Sequence, residues 1–167
     1  MLLNGECRDF IKLIKKHFKY LFKEYKFDVV HSSSARGGEH CLVIIESKDC
    51  RIKFYSSQGE VNILFGTLSS PIGWEDVING YRYWYYASAI IDFITRTSVD
   101  TAHIFSKVRA SKSEEEQLKD LSEKLYPFCE DVIQLFREDN FGKWLFDYES
   151  FEEKQNAVIR KHLERLS

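Results

Sequence analysis

The sequence predicts an α+β fold: an N-terminal helix packed on an antiparallel β-meander of about four strands, followed by C-terminal helices. Three observations predict it. Apolar residues recur at helical spacing near the start, two successive hairpin turns demand the same strand faces over 41–65, and two helix-capping patterns occur in the last third. The composition agrees with one well-cored domain spanning 1–167, because 44% of its 167 residues are hydrophobic and 30% charged. Two prolines and eight glycines leave little material for flexible linkers. Within that domain, 1–96 carries the helix, the meander and a buried helix, and 113–167 forms an acidic helical part.

From Asn4 to Lys26, Phe10, Ile14, Phe18, Leu21 or Phe22, and Tyr25 recur at three and four residues, which predicts one amphipathic helix. Its lysines, Lys12, Lys15, Lys16, Lys19, Lys23 and Lys26, fall largely on the other side and read as a solvated face. Phe27 to His31 alternates as a first strand, and 32–38, with three serines and a double glycine, reads as a loop.

Two turns then constrain each other. With Lys48-Asp49 as a two-residue turn, Ile45 faces Ile52, Val43 faces Phe54 and Cys41 faces Ser56. With Gln58-Gly59 as the next, Phe54 faces Ile63 and Ile52 faces Phe65. Both put Val43, Ile45, Ile52, Phe54, Val61, Ile63 and Phe65 on one side, and a slip of one residue would turn all of them over. The other side, with Leu42, Ile44, Glu46, Arg51, Lys53, Tyr55, Asn62 and Leu64, is mixed, so it is partly solvated or covered by something.

Residues 81–94 read as a helix that is apolar nearly all round, with Trp84, Ala87, Ile91 and Ile94 on one face. Ser113 with Glu116 has capping-box spacing ahead of the stripe Leu118, Leu121, Leu125, Phe128 or Cys129, Val132 and Phe136, and Pro127 should kink or split that helix. Ser150 with Glu153 repeats the capping signal before a final helix, and the aromatic cluster 141–148 is expected to pack it. Four cysteines without a Cys-x-x-Cys pair read as free thiols; the hairpin register separates Cys41 from Cys50, in keeping with a reducing compartment.

Charge and motifs restrict function. Net charge is −2, but residues 113–167 carry 8 basic and 14 acidic groups, which suits a cationic partner and argues against nucleic acid. No stretch is long and apolar enough to span a membrane, and the acidic start argues against a secretory signal, so the expected location is the cytoplasm. No Gly-x-Ser-x-Gly elbow, phosphate loop or dinucleotide fingerprint is present, so the expectation is a non-enzymatic chain with no catalytic residues and no cofactor. His31 and His40 bracket the 32–38 loop, where a hairpin could bring them together beside Arg36 and Glu39 as a ligand or metal pocket. No His-x-x-x-His or Cys/His framework completes a metal set, so no metal is expected; an enzyme or ligand-binding protein using that pocket is the alternative reading. The partner-binding candidates are Trp74, Tyr81, Arg82, Tyr83, Trp84, Tyr85 and Tyr86, residue types that concentrate binding energy at protein interfaces. Homodimerisation through 81–94 is a further option.

The basic N-terminal helix running into Phe27-Asp-Val-Val, the meander from Cys41 through Glu46-Ser-Lys-Asp and Arg51-Ile-Lys-Phe54, and Gly59 to Phe65 together resemble the small α+β immunity proteins and related domains of bacterial contact-dependent and polymorphic toxin systems. The resemblance covers roughly residues 8–96 and lies in pattern. It implies a cytoplasmic protein that binds and blocks a cognate toxin domain through an acidic or aromatic surface, with no shared residues to carry over.

Overall fold

The computed structural model of the chain describes residues 7–97 and 112–166. It is an α+β fold: an N-terminal helix pair, a five-stranded antiparallel sheet and C-terminal helices.

The expected single N-terminal helix is divided into α1 (Arg8–His17) and α2 (Lys19–Lys23). At the break the Leu21 amide donates to Phe18 O, three residues back, at 2.9 Å. The His17 carbonyl is thereby released and accepts from Ser122 Oγ at 2.5 Å. A distant hydroxyl thus replaces one rung of the helix ladder, which sequence periodicity cannot anticipate. Lys26, at φ 59°, ends α2, and the Phe27 amide reaches back six residues to Leu21 O.

Strand β1 (Asp28–Ala35) is longer than expected and absorbs the serines. Ser32, Ser33 and Ser34 pair with Val43, Leu42 and Cys41 of β2 (His40–Glu46), after a bulge between Val29 and His31. Only Arg36–Gly38 is a tight turn. Strands β3 (Arg51–Ser57) and β4 (Glu60–Gly66) complete the meander with the anticipated register: Val43 opposite Phe54, Ile45 opposite Ile52, Phe54 opposite Ile63 and Ile52 opposite Phe65.

The inner face carries Val43, Ile45, Ile52, Phe54, Val61, Ile63 and Phe65, all buried in one core with Phe10, Ile14, Phe18 and Leu21. Phe18 meets Phe54 edge-on at 5.0 Å. The outer face is not solvated where it is apolar: Leu42, Ile44 and Leu64 form a second core with Trp84.

Residues 81–94 are not one helix. A small hairpin, β5 (Val77–Ile78) and β6 (Tyr81–Arg82), turns on Asn79-Gly80, both at positive φ, and β7 (Tyr85–Tyr86) adds to the edge of β4. The helix α3 begins only at Ala87 and ends at Thr95. Trp84 and Tyr85 enter cores on opposite sides of the sheet, a period-two alternation that a helix cannot provide.

After residue 112, Ser113 caps α4 (Glu114–Leu125) by accepting from the Glu116 amide at 3.1 Å. Pro127 lies in the 3-10 turn Tyr126–Phe128 that separates α4 from α5 (Cys129–Leu135). The last helix, α6 (Leu145–Leu166), starts earlier than the capping pattern suggested, and Ser150 lies within it. Trp144 sets that start by burying its ring against Phe136 while Nε1 donates to Leu135 O at 2.7 Å.

The cysteines depart from the free-thiol expectation. Cys7 is bonded to Cys41, tying the start of α1 to β2 across 34 residues, while Cys50 and Cys129 are buried free thiols. Sequence spacing ruled out the Cys41–Cys50 pair but gave no view of helix packing, which is what brings Cys7 onto the sheet.

Candidate partner-binding surface

The segment from Thr67 to Tyr86 lies over the outer sheet face and is pinned from beneath at several points. Arg51 Nη1 donates to Ser70 O at 2.6 Å while its Nε pairs with Glu46. Ser70 Oγ donates to Tyr83 O, Trp84 Nε1 to Pro71 O, and the Tyr83 amide to Asp76 O. Gly66 permits the close approach, since a Cβ there would lie 2.5 Å from Ser70 Oγ and 2.9 Å from Trp84 Cε3.

The strongest anchor is Lys53, whose side chain is 1% exposed. Its ammonium lies 2.6 Å from Asp76 Oδ1, donates to Gly73 O at 3.2 Å and stands 4.7 Å from the centre of a Trp84 ring. Asp76 Oδ1 has no aligned hydrogen bond, so the contact is an ion pair held by proximity. Burial pulls the Lys53 pKa below its ordinary value, with Asp76 opposing that shift.

This backbone displays Ile72, Trp74, Val77, Tyr81 and Tyr86, which make up half of the large apolar side chains exposed among the described residues. Trp74, 38% exposed, leans edge-on against Tyr55 at 5.5 Å and His40 at 6.4 Å. Tyr81 lies 4.6 Å from Tyr83.

Arg82 is committed within the chain. It makes two hydrogen bonds to the Glu152 carboxylate, at 2.8 and 3.1 Å, and its guanidinium lies over the Tyr85 ring. Hydrogen bonding to Glu152 raises the Arg82 pKa. Burial pushes the Glu152 carboxyl up, but Arg82 more than offsets this and holds it below the usual range. Tyr85 sits among Phe136, Phe141, Trp144 and Tyr148 with ring centres 5.6 to 5.9 Å away, and burial pushes its phenol up to about 12. The run 81–86 therefore divides: Trp84 and Tyr85 serve the two cores and cannot themselves meet a partner, Arg82 and Tyr83 are half-buried, and Tyr81 and Tyr86 face solvent.

Beside Tyr81, Arg82 and Tyr83 opens a cleft of about 230 Å³, lined also by Ser69, Glu138 and Phe141. Ser69 Oγ donates to Glu138 Oε1 at 2.6 Å, so the acid among its walls already has a partner.

The 31–40 region does not assemble the anticipated pocket. His40 stands opposite Ala35 on β1, four residues from His31, which separates the two along the strand by about 13 Å. His31 Nε2 lies 3.2 Å from Ser33 Oγ. Nε2 of His40 is enclosed without a hydrogen-bond partner. Arg36 and Glu39 are exposed on the turn. No three His, Cys, Asp or Glu side chains are disposed to hold a metal among the described residues. Of the other histidines, His17 meets Glu115 at 2.7 Å, and His103 lies outside the described residues.

Sequence reading missed Ile72, Val77 and Lys53. The Asn79-Gly80 turn between Ile78 and Tyr81 is the signal that could have revealed the small hairpin and the display of Val77. No helix among the described residues is long and apolar enough to cross a membrane. Comparison with protein-family models, curated proteins and solved structures found no match.

Proposed function

We propose that the chain is a non-enzymatic protein-binding domain, of the immunity-protein type, whose capped outer sheet face engages a partner protein. The observation that carries this reading is the display of Ile72, Trp74, Val77, Tyr81 and Tyr86 on backbone locked by Lys53, Arg51 and Trp84. Aromatic rings held on a rigid frame lose little entropy on binding, and such residues dominate interface energies. The surplus acid of 113–167 suits a partner of positive charge, such as a cationic toxin domain.

The test is co-purification from the native host, followed by Trp74→Ala, Tyr81→Ala and Tyr86→Ala. Each substitution should weaken the captured complex by about tenfold or more. Thermal unfolding of the Tyr81 and Tyr86 variants should stay close to that of the parent, because about half of each side chain is exposed, whereas Trp74→Ala also loses ring contacts with Tyr55 and His40 and should melt somewhat lower, so binding is compared where all three are folded. A chain that emerges without a stoichiometric partner, or a complex indifferent to all three changes, would overturn the proposal.

A further inference from the structure

The helical face turned away from the core has a feature that amphipathicity alone does not explain. Lys12, Lys15, Lys16, Lys19 and Lys23, with Phe22, wall a shallow groove of about 580 Å³ along α1 and α2. Their spacing of one to four residues spreads the ammonium groups over roughly 16 Å of helix. Among the described residues Lys16 alone of these lysines meets a carboxylate, Glu115, which it shares with His17. Among the described residues, Lys12, Lys15, Lys19 and Lys23 make no ion pair. Lys15 instead stands 6.0 Å from the Phe22 ring centre. Lys19 lies close enough to hydrogen-bond Lys23, and that contact, together with the like charge of Lys19, holds the Lys23 pKa below its ordinary value. Four cations converging on one groove without counter-charge from the described residues form an arrangement that an anion would relieve.

We propose that this groove is a binding site for clustered phosphate groups, either a free oligophosphate or a multiply phosphorylated headgroup. The cations are all lysines, whose compact ammonium acts as a point charge on phosphate, with no guanidinium fork of the kind that favours bidentate carboxylate recognition. A nucleic-acid strand fits less well: Phe22 is the one ring in the groove and already faces Lys15, so no stacking platform exists. Glu115 at the groove's edge, followed by the acidic remainder of the chain, also repels a long polyanion and selects a compact one.

Calorimetric titration of the full chain with tripolyphosphate at low and at physiological salt tests this, alongside sedimentation with neutral vesicles with and without phosphatidylinositol bisphosphate. Lys19→Gln/Lys23→Gln should weaken binding by about tenfold or more and flatten its salt dependence, while Lys143→Gln/Lys154→Gln, exposed and outside the groove, should leave it unchanged. Circular dichroism melts of both double variants exclude unfolding. Binding of tripolyphosphate without vesicle recruitment identifies a free phosphate ligand; recruitment by the phosphoinositide identifies a headgroup. Failure of both probes, or equal loss in the two double variants, overturns the site.

Discussion

Lys53 and Asp76 form an ion pair across the sheet and the segment that covers it, Nζ to Oδ1 at 2.6 Å, with the lysine fully buried and the aspartate one-third exposed. The asymmetry of exposure dictates an asymmetry of consequence. Asp76→Asn leaves a buried ammonium without its counter-charge and should cost about 3 kcal/mol, read as a lower denaturant midpoint. Lys53→Met keeps an apolar stem against Trp84 and leaves a carboxylate whose Oδ1 is enclosed but whose side chain is one-third exposed, so it should cost less than Asp76→Asn. Equal losses for the two variants would mean that the pair acts by packing alone.

The Cys7–Cys41 bond joins a helix to a strand and closes a long loop, so reduction should loosen the N-terminus first. Chain-entropy reasoning puts its contribution at about 4 kcal/mol as an upper figure. Denatured, unreduced protein should expose two thiols, Cys50 and Cys129, to a thiol reagent, and four after reduction. Four thiols before reduction would show the bond absent from the isolated protein.

Gln58 and Gly59 both have positive φ, 51° and 84°, the conformation of the tight hairpin turn that joins β3 to β4. Asparagine tolerates the left-handed region better than glutamine, so Gln58→Asn should raise thermal stability by about 0.5 kcal/mol. Gly59→Ala should lower it by about 1 kcal/mol or more, although a Cβ there meets no neighbour within 4 Å. The loss is conformational, and differential scanning calorimetry reads both changes.

Alkaline pH should unfold the protein cooperatively. Burial raises the Cys129 thiol from 9.0 to about 12 and the Tyr85 phenol from 10.0 to about 12, and it raises Cys50, Tyr20 and Tyr148 in the same direction. These groups ionise earlier in the unfolded chain. Their contribution is complete below about pH 9 and is lost as pH rises toward 12, with Tyr85 alone worth about 3 kcal/mol at the upper end. Lys53 has the opposite sign, because its depressed folded pKa makes stability rise with pH up to 10.5. Melting temperatures measured from pH 8 to about pH 11.5 should fall steeply over the last two units. Tyr85→Phe should make that fall shallower.

The meander was legible because Val43, Ile45, Ile52, Phe54, Ile63 and Phe65 satisfy two turns at once, and a strand's two-residue period admits no intermediate register. The Ser113 cap and the split at Pro127 were legible for a similar reason, since each rests on chemistry within a few residues. The surface was only partly legible: Trp74, Tyr81 and Tyr86 were named and face solvent, but Trp84 and Tyr85 were named with them and are buried.

The residues by themselves determined the α+β class, the strand register and which face of the sheet is core, because these follow from local periodicity and turn chemistry. Tertiary structure alone decided that Cys7 meets Cys41, that His31 and His40 stay apart, and that Trp84 and Tyr85 turn to opposite sides of the sheet. It also decided that Lys53 is buried rather than solvated. Each of these depends on contacts between residues distant in sequence, where aromatic and charged side chains are equally compatible with burial or display until the neighbouring elements have docked.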